Sequence, residues 1–309
     1  MEHVAVVGAG LIGRSWAIVF ARAGFSVALW DKDSKAVEAA THFIADRLPE
    51  LHALGLLKDS PDTVMARIAT PATLAEALAG AVWVQENGPE RVADKQALFT
   101  ELDRLAEPGA ILASSTSGIP ASAFTEHLAG RARALVAHPV NPPYLVPVVE
   151  LCPAPWTDPA VVARARMLMK RAGQVPATVN KEVAGFVLNR LQVALVAEAF
   201  RLVADGVVSA EDVDATVKHG LGLRWSFMGP LETIDLNAPG GLADYCARYG
   251  GLYEQVMQET KPLELSADVV GGVDQARRAL LPLEDQAARQ EWRDRRLMAL
   301  LAHKAGQLP

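Results

Sequence analysis

One run, VAVVGAGLIGRSWA at residues 4–17, constrains this chain more than any other. Its β-branched start reads as a strand, and its apolar continuation has the three-to-four spacing of a helix. Between them Gly8, Gly10 and Gly13 form G-x-G-x-x-G. Gly8 suits the tight turn, Gly10 lets backbone approach a pyrophosphate, and Gly13 lets the helix pack closely on the strand. The helix opens at Leu11 and Ile12, whose N–H groups and positive dipole end face the phosphates of a bound dinucleotide. The next strand ends in VALWDKD, placing Asp31 18 residues beyond Gly13. A carboxylate at that spacing holds the adenine-ribose hydroxyls and repels a 2′-phosphate, so NAD is expected over NADP. Lys32, next door, works against that preference.

Strand-like runs at 4–7, 26–30, 81–85, 110–114, 132–137, 146–151 and 174–179 alternate with helical stretches at 11–23, 35–54, 91–106 and 159–172. This predicts βαβ units: an α/β fold with a Rossmann-type doubly wound sheet. After Lys181 the composition turns helical, so an all-α C-terminal domain is expected to follow. With 309 residues, two domains are the natural division, drawn at 1–182 and 183–309. In KEVAGFVLNRLQVALVAEAFRLVADG, the residues Phe186, Asn189, Val193, Val196, Phe200 and Val203 recur on one helix face, with Asn189 the polar member. A buried amide needs partners, so Asn189 either bonds backbone or points at a ligand in the crevice between domains. Gly206 ends that helix, Ser209 caps the next, and RQEWRDRRLMALLAHK reads as an exposed, arginine-rich final helix.

The net charge of −6 gives no basic footprint, which argues against nucleic acid or an anionic membrane surface. No apolar run reaches the ~18 residues of a membrane span. Two cysteines far apart indicate a reduced compartment and no metal site. The first strand begins almost at Met1, leaving no room for a leader, so a cytoplasmic protein is expected.

Two loops lie at strand carboxyl ends, where ligands gather. In QENGPERVADK, Glu86 and Asn87 are placed to face the nicotinamide end, and Lys95 to reach a ribose or substrate oxygen. In ASSTSGIPASAF, Ser117 is as readily a cap as a functional group. A third stretch, AHPVNPPYLVPVVEL, ends one strand at His138, turns through Asn141, Pro142 and Pro143, and returns on a strand carrying Glu150. Such a return can bring the two within reach, as a base and the carboxylate that orients it. A strand-end histidine that simply hydrogen-bonds is the plainer alternative.

Taken together, GAGLIG, SSTSG, HPVNP with Glu150 twelve residues beyond its histidine, GFVLNRL and MGPLE resemble the L-3-hydroxyacyl-CoA dehydrogenase superfamily over essentially the whole chain. GLRWSFMGPLETIDLNAPGG, YCARY and EWRDRRL resemble its lambda-crystallin/L-gulonate 3-dehydrogenase branch. The resemblance implies an NAD-dependent dehydrogenase with His138 as general base or acid and Glu150 as its partner. It also implies Ser117 and Asn189 at the reacting substrate oxygen or its surroundings, and a homodimer through the C-terminal domain; Asn141 is a further candidate substrate contact. Acyl-CoA members carry a lysine-rich hairpin after the second strand. Here residues 34–70 hold four Lys/Arg against five Asp/Glu, which favours a small-molecule carboxylate substrate over a CoA ester. Arg224 is the candidate to grip that carboxylate, or else it makes a surface or interface ion pair.

Overall fold

The computed structural model describes residues 1–260 and 262–307. Its β-branched runs form β1 (His3–Val7), β2 (Ser26–Trp30), β3 (Ile68–Ala69), β4 (Ala81–Glu86), β5 (Ile111–Ser114), β6 (Ala134–Pro139), β7 (Val148–Pro153) and β8 (Val175–Thr178). They make one sheet in the order β3-β2-β1-β4-β5-β6-β7-β8. Strands β1 to β6 are parallel; β7 runs antiparallel to β6, and β8 parallel to β7. The sequence pattern indicates every strand except β3, whose two residues are too few to show a period.

Side-chain alternation explains why the strands read as unbroken apolar runs. Val4 and Val6 enter one core with Trp16, Phe20, Ile44 and Leu48. Ala5 and Val7 point the other way, into a core with Phe99, Leu102 and Phe124. Both faces are therefore covered, as a doubly wound sheet requires. The covering helices are Leu11–Arg22, Ser34–Ala53, Val92–Leu105 and Pro159–Arg171. Because β1 lies between β2 and β4, the winding reverses there. The reversal opens a crevice at the strands' carboxyl ends.

The chain forms two compact units: Met1–Arg190 together with the end of the chain from Glu291, and Leu191–Gln290. The first of these units runs on to Arg190, and most of the last helix, Gln286–Ala305, belongs to it as well. That helix is not wholly exposed. Asp294 and Met298 are buried, and Leu297 and Leu301 pack against the sheet core. The helix Leu188–Ala204 starts two residues after Phe186, so Phe186 is not part of its face.

In the second unit, Gly206 is left-handed after the helix end, and the Ser209 side chain caps Ala210–Thr216 by accepting from the Asp212 N–H, as expected. Neither Gly241–Glu259 nor Ala267–Leu280 has a buried residue. Phe227, Leu231, Leu236, Leu252 and Met257 are all exposed. Among the described residues, no helix is long and apolar enough to cross a membrane.

Candidate active site

The glycine turn is built as its spacing requires. Gly8 has φ +96°, where a side chain is strained, and its N–H donates to the Trp30 carbonyl at 2.8 Å. A Cβ on Gly13 would sit 1.7 Å from the Gly8 carbonyl oxygen, whereas one on Gly10 would meet nothing within 4 Å. Helix and strand therefore touch at Gly13 while Gly10 faces open space. Gly10 caps the helix without a side chain. Leu11 is exposed and Ile12 half-buried at its start. Asp31 lies against the same turn, its Oδ2 accepting from the Ala9 N–H at 2.8 Å and its Oδ1 from the Asp33 N–H at 3.0 Å. An uncluttered helix start with a carboxylate beside it fits a dinucleotide.

Glu86 and Lys95 do not face that space. Both are buried, and the Lys95 ammonium donates to both Glu86 carboxylate oxygens at 3.0 and 3.1 Å. Glu86 also accepts from Ser114 Oγ at 2.5 Å and from the Gly88 N–H at 2.6 Å. The expected cofactor contacts are thus corrected to an internal ion pair that ties the β4 loop to β5. Asn87 is likewise spent inward: its Nδ2 donates to the Val7 and Gln85 carbonyls, and its Oδ1 accepts from Ser115 Oγ. The acid that sequence reasoning missed is Glu90. It is exposed, and its carboxylate accepts from Thr116 Oγ1 and the Ser117 N–H, both at 2.7 Å.

The antiparallel return of β7 puts Glu150 directly opposite His138. His138 Nδ1 lies 2.8 Å from Glu150 Oε2, and both side chains are buried. The other carboxylate oxygen, Oε1, accepts from the backbone N–H groups of Val187 and Leu188 at 2.8 and 2.9 Å. Glu150 thus sits at the start of helix Leu188–Ala204, where N–H groups and dipole favour an anion. Burial alone raises its pKa. The hydrogen bonds from His138 and from the Leu188 and Val187 N–H groups outweigh that and hold it below the ordinary carboxylate value. With Nδ1 tied to an anionic acceptor, Nε2 is the nitrogen left for a ligand. Cys152 is not a second reactive group, because burial pushes its thiol up to about 12.

Phe186 closes the other side of the histidine. Its ring lies 5.6 Å from the imidazole, tilted by 48°, and is fully buried. Its φ is +50°, directly after Gly185 at +73°. A bulky residue in that region costs about 1–3 kcal/mol, and burial of the ring offsets a similar ~1.5–3 kcal/mol.

Ser117 and Asn189 are brought together. Asn189 Nδ2 donates to the Ser117 carbonyl at 2.7 Å, so the amide does bond backbone, with Oδ1 as its remaining polar atom. Asn141 is exposed in the β6–β7 turn. That turn is held by Tyr144, whose carbonyl accepts from Arg22 at 2.7 Å and whose hydroxyl donates to Asp294 at 3.3 Å. Arg224 belongs to the second unit, exposed on the short helix Gly222–Trp225.

A dinucleotide cradle after β1 and a buried histidine–carboxylate pair on the neighbouring strands β6 and β7 define an NAD-dependent oxidoreductase. The chain belongs to the 3-hydroxyacyl-CoA dehydrogenase family: residues 3–183 match its NAD binding domain and residues 185–266 its C-terminal domain. It is 46% identical to the lambda-crystallin homolog of Bos taurus, over 99% of this chain and 96% of that one. It is 39% identical to the L-carnitine dehydrogenase of Streptomyces griseus, over 81% of this chain and 74% of that one. The crystal structure of 5-formyl-3-hydroxy-2-methylpyridine 4-carboxylic acid 5-dehydrogenase, an NAD+ dependent dismutase, superposes with a TM-score of 0.86 at 27% identity, covering both chains fully.

Proposed function

We propose that this enzyme oxidises the 3-hydroxyl of a small L-3-hydroxy acid, and that its substrate is L-gulonate, giving 3-dehydro-L-gulonate. The observation that carries the proposal is the His138–Glu150 contact with its helix-start anchor. A neutral imidazole that donates from Nδ1 to a carboxylate has its lone pair at Nε2, so it takes the hydroxyl proton there. Glu150, held ionised, stabilises the imidazolium that results. Asn189 and the Ser117 hydroxyl hold the oxygen as it becomes a carbonyl. Bound NAD supplies the hydride acceptor. Gly8, Gly10 and Gly13, with Leu11 and Ile12 at the helix start, receive its pyrophosphate, and Asp31 its adenine ribose.

A free acid is favoured over a CoA ester by the charge of residues 34–70. Two of the four cations there are already paired, Arg47 with Glu50 and Arg67 with Asp59, each at 2.6 Å. CoA needs unspent positive charge. Similarity to a carnitine dehydrogenase and to a pyridine-carboxylic acid dehydrogenase supports the same side, since both are named for small substrates that are not CoA esters. Arg224 is the proposed carboxylate clamp, with Asn141 as a further contact. A second copy of this chain is proposed to cover the exposed apolar side chains of Leu191–Gln290, because patches of that kind mark interfaces; sedimentation as a monomer at micromolar concentration would remove that part. The two unpaired cysteines support a cytoplasmic setting.

The test is a panel of initial rates with L-gulonate, L-3-hydroxybutyrate, L-carnitine and 3-hydroxybutyryl-CoA, each with NAD and NADP. L-Gulonate with NAD is expected to give the highest kcat/KM. Turnover of the CoA ester alone would overturn the substrate reading. His138→Ala is expected to abolish turnover while NADH still binds.

A further inference from the structure

The segment Phe186–Asn189 reaches the proposed site at three points. The Phe186 ring lies beside the His138 imidazole, tilted against it at 5.6 Å between centroids, the Val187 and Leu188 N–H groups bind Glu150 Oε1, and the Asn189 amide binds the Ser117 carbonyl. The chain arrives there through two consecutive left-handed residues, Gly185 and Phe186. Glycine takes that conformation freely, but phenylalanine does so only when its surroundings enforce it. Here the enforcement is visible. The Phe186 ring is wholly buried, in the same apolar core as Val136, Cys152 and Val179, and its N–H donates to the Val183 carbonyl at 3.1 Å.

We propose that Phe186 is a positioning residue for proton transfer: its ring fixes the plane of the His138 imidazole, and its left-handed backbone aims the Val187 and Leu188 N–H groups at Glu150. Strand β6 fixes the histidine Cα and Glu150 restrains Nδ1. These two restraints leave the ring free to rock about the Nδ1–Glu150 bond, and a rocking ring sweeps Nε2 away from the substrate hydroxyl. The Phe186 face blocks that movement. The two backbone donors on Oε1, together with the His138 hydrogen bond, hold Glu150 below the ordinary carboxylate value. Orientation of this kind contributes to kcat rather than to substrate affinity, because it acts on alignment at the reacting centre.

The inference rests on His138 being the proton-transfer group, so His138→Ala is measured alongside. Phe186→Leu removes the ring at similar bulk, and Phe186→Gly removes the ring while easing the backbone at φ +50°. With L-gulonate as substrate, both variants are expected to lose about 10- to 100-fold in kcat, with KM and NADH affinity within about threefold of wild type. In the NADH complex, ¹⁵N spectra of histidine-labelled protein are expected to show the His138 ring as a single Nδ1–H tautomer in wild type. In both Phe186 variants the Nδ1–H tautomer is expected to persist, because Glu150 still accepts from Nδ1, while the His138 ring signals shift and broaden as the ring rocks. Folded variants with wild-type kcat and an unchanged spectrum overturn the inference. So does failure of both to fold, which makes the ring a packing residue alone. If His138→Ala keeps its kcat, the proposed function fails instead, whatever the Phe186 variants do. If L-gulonate is not turned over, the spectra decide on their own.

Discussion

Exchanging Glu150 for glutamine tests the centre of the proposal, because the structure dictates how the amide must sit. Oε1 accepts from two backbone N–H groups, so the glutamine carbonyl oxygen takes that position and its NH2 group turns to His138 Nδ1. A donor there forces the ring proton onto Nε2, which converts the nitrogen that accepts the substrate proton into one that cannot. The imidazolium formed in turnover also loses its counter-charge. Charges about 4 Å apart at an effective dielectric near 20 interact by about 4 kcal/mol, equivalent to roughly 10³ in rate. The tautomer penalty adds to this; an orienting carboxylate changed to its amide in a comparable triad costs about 10⁴. Glu150→Gln is therefore expected to lower kcat by about 10³- to 10⁴-fold. NADH affinity, followed by fluorescence titration, should hold, because Glu150 touches none of the glycine turn. A kcat within about threefold of wild type, measured by NADH absorbance at saturating substrate, would refute the claim that the Glu150 charge is used in turnover.

Glu150 also contributes to acid stability. Its folded pKa is depressed below the ordinary 4.5, so its contribution is fully present above that value and is lost as pH falls through the lower folded value. The gap in urea midpoint between wild type and Glu150→Gln is expected to narrow below about pH 4.5; a gap constant down to about pH 3 would contradict the depressed pKa. Lys95→Met leaves the buried Glu86 carboxylate without its cation and is expected to cost about 3–5 kcal/mol in urea unfolding. Adding Glu86→Gln should restore part of that loss, and a cost of the single change under about 1 kcal/mol would mean the pair is not closed in solution. Gly13→Ala places a Cβ 1.7 Å from the Gly8 carbonyl oxygen and is expected to weaken NADH binding about tenfold or more, read by the same fluorescence titration.

How much of this was visible in the chain depends on whether each feature is local. The sheet was, because strands buried on both faces must be continuous apolar runs. The His138–Glu150 pair was half visible. Strand, proline turn and return strand fix that the two residues approach, but only the register opposing them fixes that they touch. Phe186 misled for a definite reason: apolar spacing of three and four runs smoothly through the start of helix Leu188–Ala204 and carries no mark of a left-handed residue. Gly185 immediately before it was the one available signal. In the same way, the β4 loop offers the carboxylates Glu86 and Glu90 and the cation Lys95 within ten residues. Which acid is buried is decided by Ser114 from another strand, so local reading chose Glu86 over Glu90. The final helix was missed for another reason: its arginines read as exposure, while Leu297, Met298 and Leu301, three, four and seven residues beyond Asp294, mark the face that packs. The misses at Phe186 and in the β4 loop concern which side of an element faces inward at its boundary. A pattern of period 3.6 or 2 is silent there, because the period has not yet begun or has just ended. The residues proposed to move the proton lie at such boundaries, since strand ends and helix starts are where backbone donors and side chains can turn toward a ligand. The site was therefore bound to be harder to read than the sheet that carries it.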